Sequence, residues 1–140
     1  MSKTIEIEDF YTEDNEKNGV WHEPVIDGEP CGIKFLLIGI HSAEAIKNME
    51  YYDQLIDKLD EITDPEERAI KEKEIDAERV ASLTKDVKAS DGADILVGGQ
   101  KVVFDKTFIK KLYMEAPLFK MDNIEFAIKT SNFMKKKGNE

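Results

Sequence analysis

Apolar residues fall into runs of different period along the chain, and each period predicts an element. Val20 to Asp27 and Cys31 to Ile40 are separated by Gly28-Glu29-Pro30, residues that favour chain reversal, and together they predict a β-hairpin. The second run alternates at first and then turns apolar on both faces through Phe35, Leu36, Leu37 and Ile38, which predicts a strand covered on both sides. Pro24 lacks a backbone donor, which places the first run at a sheet edge. A hairpin alone is marginal in water, so helices must cover it.

Beyond Ser42, a suitable N-cap, Ile46, Met49, Tyr52, Ile56, Leu59 and Ile62 recur at steps of three and four, the stripe of an amphipathic helix. In Asp64-Pro65-Glu66-Glu67 a capping aspartate, a proline at the first helical position and a carboxylate at the third open a second helix, expected from Pro65 to Lys88. Its narrow stripe of Ile70, Ala77, Val80, Ala81, Leu83, Thr84 and Val87 suits packing against the first, as an antiparallel pair. Ser90-Asp91-Gly92-Ala93-Asp94 breaks the pattern. Ile95-Leu96-Val97 and Val102-Val103-Phe104 then flank Gly98-Gly99-Gln100-Lys101 and predict a short second hairpin. Asp105 caps a helix bearing Phe108, Ile109, Leu112 and Tyr113 that stops near Pro117, and Asp122-Asn123-Ile124-Glu125 has the capping-box form for a last helix. The fold class is α+β: an N-terminal β-hairpin, an antiparallel helix pair, a short second β-hairpin and C-terminal helices.

A chain of 140 residues suits one domain. Residues 1–18 carry six carboxylates against Lys3 and Lys17 and read as a flexible acidic arm; 19–134 form a single α+β domain; 135–140, with Lys135, Lys136 and Lys137, form a basic tail. A net charge of -10 disfavours binding to nucleic acid, which requires a basic face. The strongly apolar stretch Ile33 to Ile40 contains Lys34 and is too short for a membrane span. Cys31 is the only cysteine, so the chain has no internal disulfide and no paired-cysteine zinc site. These features predict a soluble cytoplasmic protein with neither a membrane nor a nucleic-acid partner.

The candidate chemistry is thin. His22, Glu23 and His41 match no metal-ligand spacing, and Cys31 between Pro30 and Gly32 reads as a small buried apolar group. Gly98-Gly99 lacks the lysine and hydroxyl residue of a phosphate loop, and no Asp-x-Asp-x-Asp-Gly calcium loop occurs. No catalytic residue, cofactor or metal is therefore expected, and an enzyme using Cys31, His22 and His41 is a distant alternative. From Glu50 to Arg79 twelve carboxylates face five bases, so the helix pair has a strongly negative exterior. Phe10, Tyr11, Trp21 and Tyr51, aromatic groups beside charged segments, are the candidate protein-binding residues.

Three stretches give the chain a family resemblance. They are Gly19-Val20-Trp21 leading into Gly32-Ile33-Lys34-Phe35-Leu36-Leu37; the helix pair; and Ile95 to Asp105, followed by Leu112, Pro117, Ile124-Glu125-Phe126-Ala127 and Ser131-Asn132-Phe133. In this order they resemble the tail assembly chaperones of long-tailed bacteriophages and prophages. The resemblance implies a nonenzymatic protein of the bacterial host cytoplasm that binds the tape-measure protein, recruits tail-tube subunits and favours self-association into a homo-oligomer. It also implies a longer frameshifted product, with the lysine run as the place to look for the slippery site. A small virion structural protein, such as a tail completion or connector component, is the alternative.

Overall fold

The continuous apolar run at Ile33 creates a strand that needs neighbours on both edges, and the computed structural model, which describes residues 4–135, supplies them. Residues 1–3 and 136–140, including Lys136 and Lys137 of the expected tail, lie outside the described residues. Strand β1 (Val20–His22) and strand β4 (Ile33–Leu37) pair antiparallel, and β5 (Thr84–Ala89) flanks β4 on its other side, giving the order β1-β4-β5.

Directly opposed residues of antiparallel strands share a face. Val20, Leu37 and Thr84 line up, as do His22, Phe35 and Val87, and these point into the core. Trp21, Leu36 and Asp86, with Lys34 and Lys88, occupy the other face, which is half-buried to exposed. Cover on both sides of β4 is thus not what the structure shows; the helices pack on one side, and the apolar Leu36 is shielded at the other by neighbours such as Gly19.

Strand β5 corrects the expected second helix. Helix α2 (Ala43–Asp57) starts at Ser42, whose Oγ accepts from the Ala45 N–H at 3.2 Å, and a tight helical turn, Lys58–Glu61, follows it. Helix α3 (Pro65–Ala81) starts as expected at Asp64, but it ends seven residues before Lys88. The Ser82 hydroxyl donates to the Arg79 carbonyl and the Thr84 hydroxyl to the Val80 carbonyl, bonds that compete with helix continuation. Thr84 and Val87 are β-branched, and β4 offers a free ladder that rewards an extended chain. A register shift at Leu36/Leu37 lets both residues face inward despite their odd spacing.

Both hairpins form. In the first, β2 (Val25–Ile26) pairs with β3 (Glu29–Pro30), and the turn is Asp27-Gly28, with φ of 52° and 81°, one residue earlier than the pattern suggests. In the second, β6 (Leu96–Val97) pairs with β7 (Gln100–Lys101) around Gly98-Gly99, so the returning strand falls on residues expected in the turn, and Val102, Val103 and Phe104, expected to form it, lie outside any strand. Pro24 lies between β1 and β2, outside both strands, and β1 is at the edge of the larger sheet as expected. Beside it Glu23 ties the hairpin base to the end of β5, accepting from the Ser90 hydroxyl at 2.7 Å and the Gly32 N–H at 2.8 Å. These two bonds hold the Glu23 carboxyl below its ordinary pKa.

Helix α4 (Lys106–Glu115) is capped by Asp105, which accepts from the Phe108 N–H at 2.7 Å. Helix α5 (Pro117–Ile128) opens on Pro117, so Asp122 and Asn123 lie inside the helix and do not start it. Phe35, Leu37 and Val87 meet Ala77, Val80 and Ala81 of α3 and Ile109 and Tyr113 of α4 in the main core, with Phe119 and Ile124 of α5 packed against it. A directed polar chain crosses this core: Asn123 Nδ2 donates to Tyr113 Oη at 2.8 Å, Tyr113 bonds Thr84 Oγ1 at 2.7 Å, and Thr84 donates to Val80. Burial raises the Tyr113 hydroxyl pKa to about 12 although both side-chain bonds oppose it.

The N-terminal segment differs from a loose arm. Ile7–Phe10 makes a helical turn and Glu13–Asn18 forms α1, with Asn15 and Glu16 buried. Asn15 Nδ2 donates to the Met134 carbonyl at 3.1 Å, Gly39 N–H to the Glu16 carbonyl at 3.0 Å, and Lys135 N–H to the Tyr11 carbonyl at 2.8 Å. An acidic composition gives no hint of docking made through an asparagine and the main chain. No helix among the described residues is long and apolar enough to cross a membrane.

Candidate protein-binding surface

Helix α5 departs from a one-sided amphipathic pattern because its apolar residues surround most of its circumference. Phe119, Ile124 and Ala127 pack inward, and Phe126 stacks on the His22 ring with centroids 4.2 Å apart. Leu118, Met121 and Ile128 lie three and seven positions apart, a spacing that puts them on one side, and they are 49%, 62% and 51% exposed. Neighbouring charges on α5 are fixed from behind: Asp122 bonds His22 at 2.6 Å and Lys120 bonds Asp76 of α3 at 2.5 Å. What remains outward is an apolar strip with Glu125 within it. Large side chains clustered this way are a recognised mark of a contact surface.

Helices α2 and α3 supply the opposite character. Asp76 joins α3 to α5 by accepting from Lys120 and from Arg79; burial raises its pKa, but these two hydrogen bonds and charges outweigh it and hold the carboxyl below its ordinary value. Lys110 of α4 reaches Glu78 at 2.7 Å, and that bond raises the lysine pKa. The remaining carboxylates toward the α2–α3 turn, from Asp57 to Glu67, are exposed, so the free end of the pair is strongly acidic.

The structure scatters the four residues selected from sequence. Phe10 and Tyr11 are 57% and 58% exposed at the N-terminal turn, and Tyr51 is 56% exposed on α2 with its ring edge-on to Tyr52 at 5.1 Å. Trp21 is half-buried on the outward sheet face beneath Lys88, whose Nζ lies 4.1 Å from the ring centroid. Among the described residues no aromatic contact joins any two of the four. Missing from that selection was the α5 strip. A short segment rich in Leu, Phe, Met and Ile without a polar side was the available signal, obscured by reading Asp122 as the start of a helix.

His22 and Cys31 both lie near Asp122, and His41 stands apart from them. His22 is engaged with Asp122 and Phe126; the Cys31 thiol donates to the Ile33 carbonyl at 3.4 Å, and burial raises its pKa, which opposes thiolate formation. His41 lies between β4 and α2 in a groove lined by neither of the other two. Among the described residues no group of three His, Cys, Asp or Glu side chains is placed to hold a metal ion. Comparison with known protein families, curated proteins and solved structures finds no match.

Proposed function

We propose that this protein is a nonenzymatic tail assembly chaperone of a long-tailed bacteriophage or prophage, which binds the tape-measure protein and recruits tail-tube subunits in the host cytoplasm. The observation that carries the binding reading is the outward strip Leu118, Met121 and Ile128 on a helix whose other side is already committed to the core. An apolar strip of this kind suits one side of an amphipathic helix, the form a long helical client presents. The acidic end of the α2–α3 pair adds charge repulsion that keeps a loaded chaperone dispersed. The specific client comes from the resemblance of the three sequence stretches named above.

Mass spectrometry of purified mature particles and of infected-cell lysate tests this role. A chaperone is expected in the lysate, bound to the tape-measure protein, and absent from the particles. Recovery in particles at a fixed stoichiometry would instead make the chain a virion component.

A further inference from the structure

Helix α4 runs against the charge of the whole chain. It carries Lys106, Lys110 and Lys111 against Glu115, in a protein of net charge -10. Thr107, Lys110, Lys111, Met114 and Glu115, at helical spacing along one side, form a wall of a groove of about 410 Å³, and Lys73 of α3 completes the lining. Lys110 is held by Glu78, whereas Lys73 and Lys111 are exposed and have no ion-pair partner among the described residues. The half-buried Met114, the Thr107 methyl and the lysine methylenes give the groove an apolar lining beneath a positive rim.

The N-terminal segment Thr4 to Tyr11 has the complementary character. Ile5, Ile7, Phe10 and Tyr11 are each more than half exposed, belong to neither core cluster, and are interspersed with Glu6, Glu8 and Asp9. Side chains three apart eclipse in a 3₁₀ turn, so Ile7 and Phe10 project from one side of Ile7–Phe10 with carboxylates next to them. The segment is anchored at its end, where the Tyr11 carbonyl accepts from the Lys135 N–H, and Lys135 Nζ touches Glu8 only loosely, at 3.8 Å.

We propose that this segment docks in the α3–α4 groove of a second copy of the chain. Ile7 and Phe10 cover Met114 and the lysine stems, while Glu6 and Glu8 meet Lys73 and Lys111. Exposed ion pairs contribute little by themselves, so apolar burial supplies most of the affinity and the charges select the partner and its orientation. A stable interface takes roughly 20–30 residues a side, so one short segment gives a weak contact whose extent follows protein concentration. The contact is separate from the α5 strip, and its loss leaves client binding in place.

Sedimentation equilibrium of the full chain over a range of concentrations tests this contact. Wild type should show a mass above the 16.0 kDa of one chain that rises with concentration and falls on adding salt. Glu6→Lys with Glu8→Lys, and separately Lys73→Glu with Lys111→Glu, should each weaken association by about tenfold or more. All four positions are exposed, so both variants should keep the wild-type circular dichroism spectrum and urea midpoint. Mixing the two variants, or combining all four changes in one chain, brings opposite charges together again and should restore association. Ile7→Ser with Phe10→Ser should weaken association at low and high salt alike. A wild-type chain that stays monomeric at every concentration, charge-reversed variants that associate as wild type does, or a mixture that fails to regain association would overturn the proposal.

Discussion

Helices α3 and α5 touch the same core and use their surfaces differently. α3 buries Ile75, Ala77, Val80 and Ala81 and gives the rest of its length mainly to charged groups. α5 buries Asn123 and Ala127, leans Phe119 and Ile124 on the core, and still presents Leu118, Met121 and Ile128 outward. In α3 the large apolar residues other than Ile70, which is 55% exposed, serve folding. In α5 there are more of them than folding uses, and the surplus lies along one side.

The contrast is broken most strongly by truncating a buried α3 side chain. Ile75→Ala should cost about 2–5 kcal/mol, read as a lowered urea midpoint with an unchanged slope. On the inward side of α5, Asn123→Ala removes the donor to Tyr113 in a fully buried site and should cost about 1–3 kcal/mol by the same measurement. A loss comparable to a surface change would mean that the Asn123–Tyr113–Thr84 chain adds little to the core.

Asp76→Asn tests the link between the two helices. The Asp76 carboxyl is lowered from its ordinary value of 3.8, so its stabilisation is complete above that pH and is lost as pH falls through the lowered value. Because a third of the Asp76 side chain remains exposed and solvent screens the pair, wild type should exceed the variant at neutral pH by about 1 kcal/mol or less, and the gap should close on acidification. A gap that widens in acid would reverse the sign assigned here. The smallest stability effect is expected on the outer side of α5, where Met121→Ser should change unfolding by about 0.5 kcal/mol or less.

Most of the element order was legible because caps and periods are local. Ser42, Asp64 and Asp105 each accept from the backbone three residues on, and both hairpins reverse at paired positive-φ positions. Two failures had nonlocal causes. Thr84 to Lys88 continues a helical stripe on paper, yet the free edge of β4 and the hydroxyl bonds of Ser82 and Thr84 draw it into a strand. Asp122 and Glu125 have capping spacing, yet Pro117 starts the helix and His22, a hundred residues earlier in sequence, takes Asp122. The candidate surface was harder still. Aromatic groups beside charged segments single out Phe10, Tyr11, Trp21 and Tyr51 in the sequence, whereas the aligned strip of α5 is visible only once the inward neighbours of that helix are known.

Coexpression with the tape-measure protein encoded in the same genome tests the central claim most directly. Wild type should keep the client soluble and co-purify with it, while the folded triple variant Leu118→Ser, Met121→Ser, Ile128→Ser should lose both properties. Full client solubility and complex formation with that variant would contradict the account, as would a client that never associates with the wild-type protein.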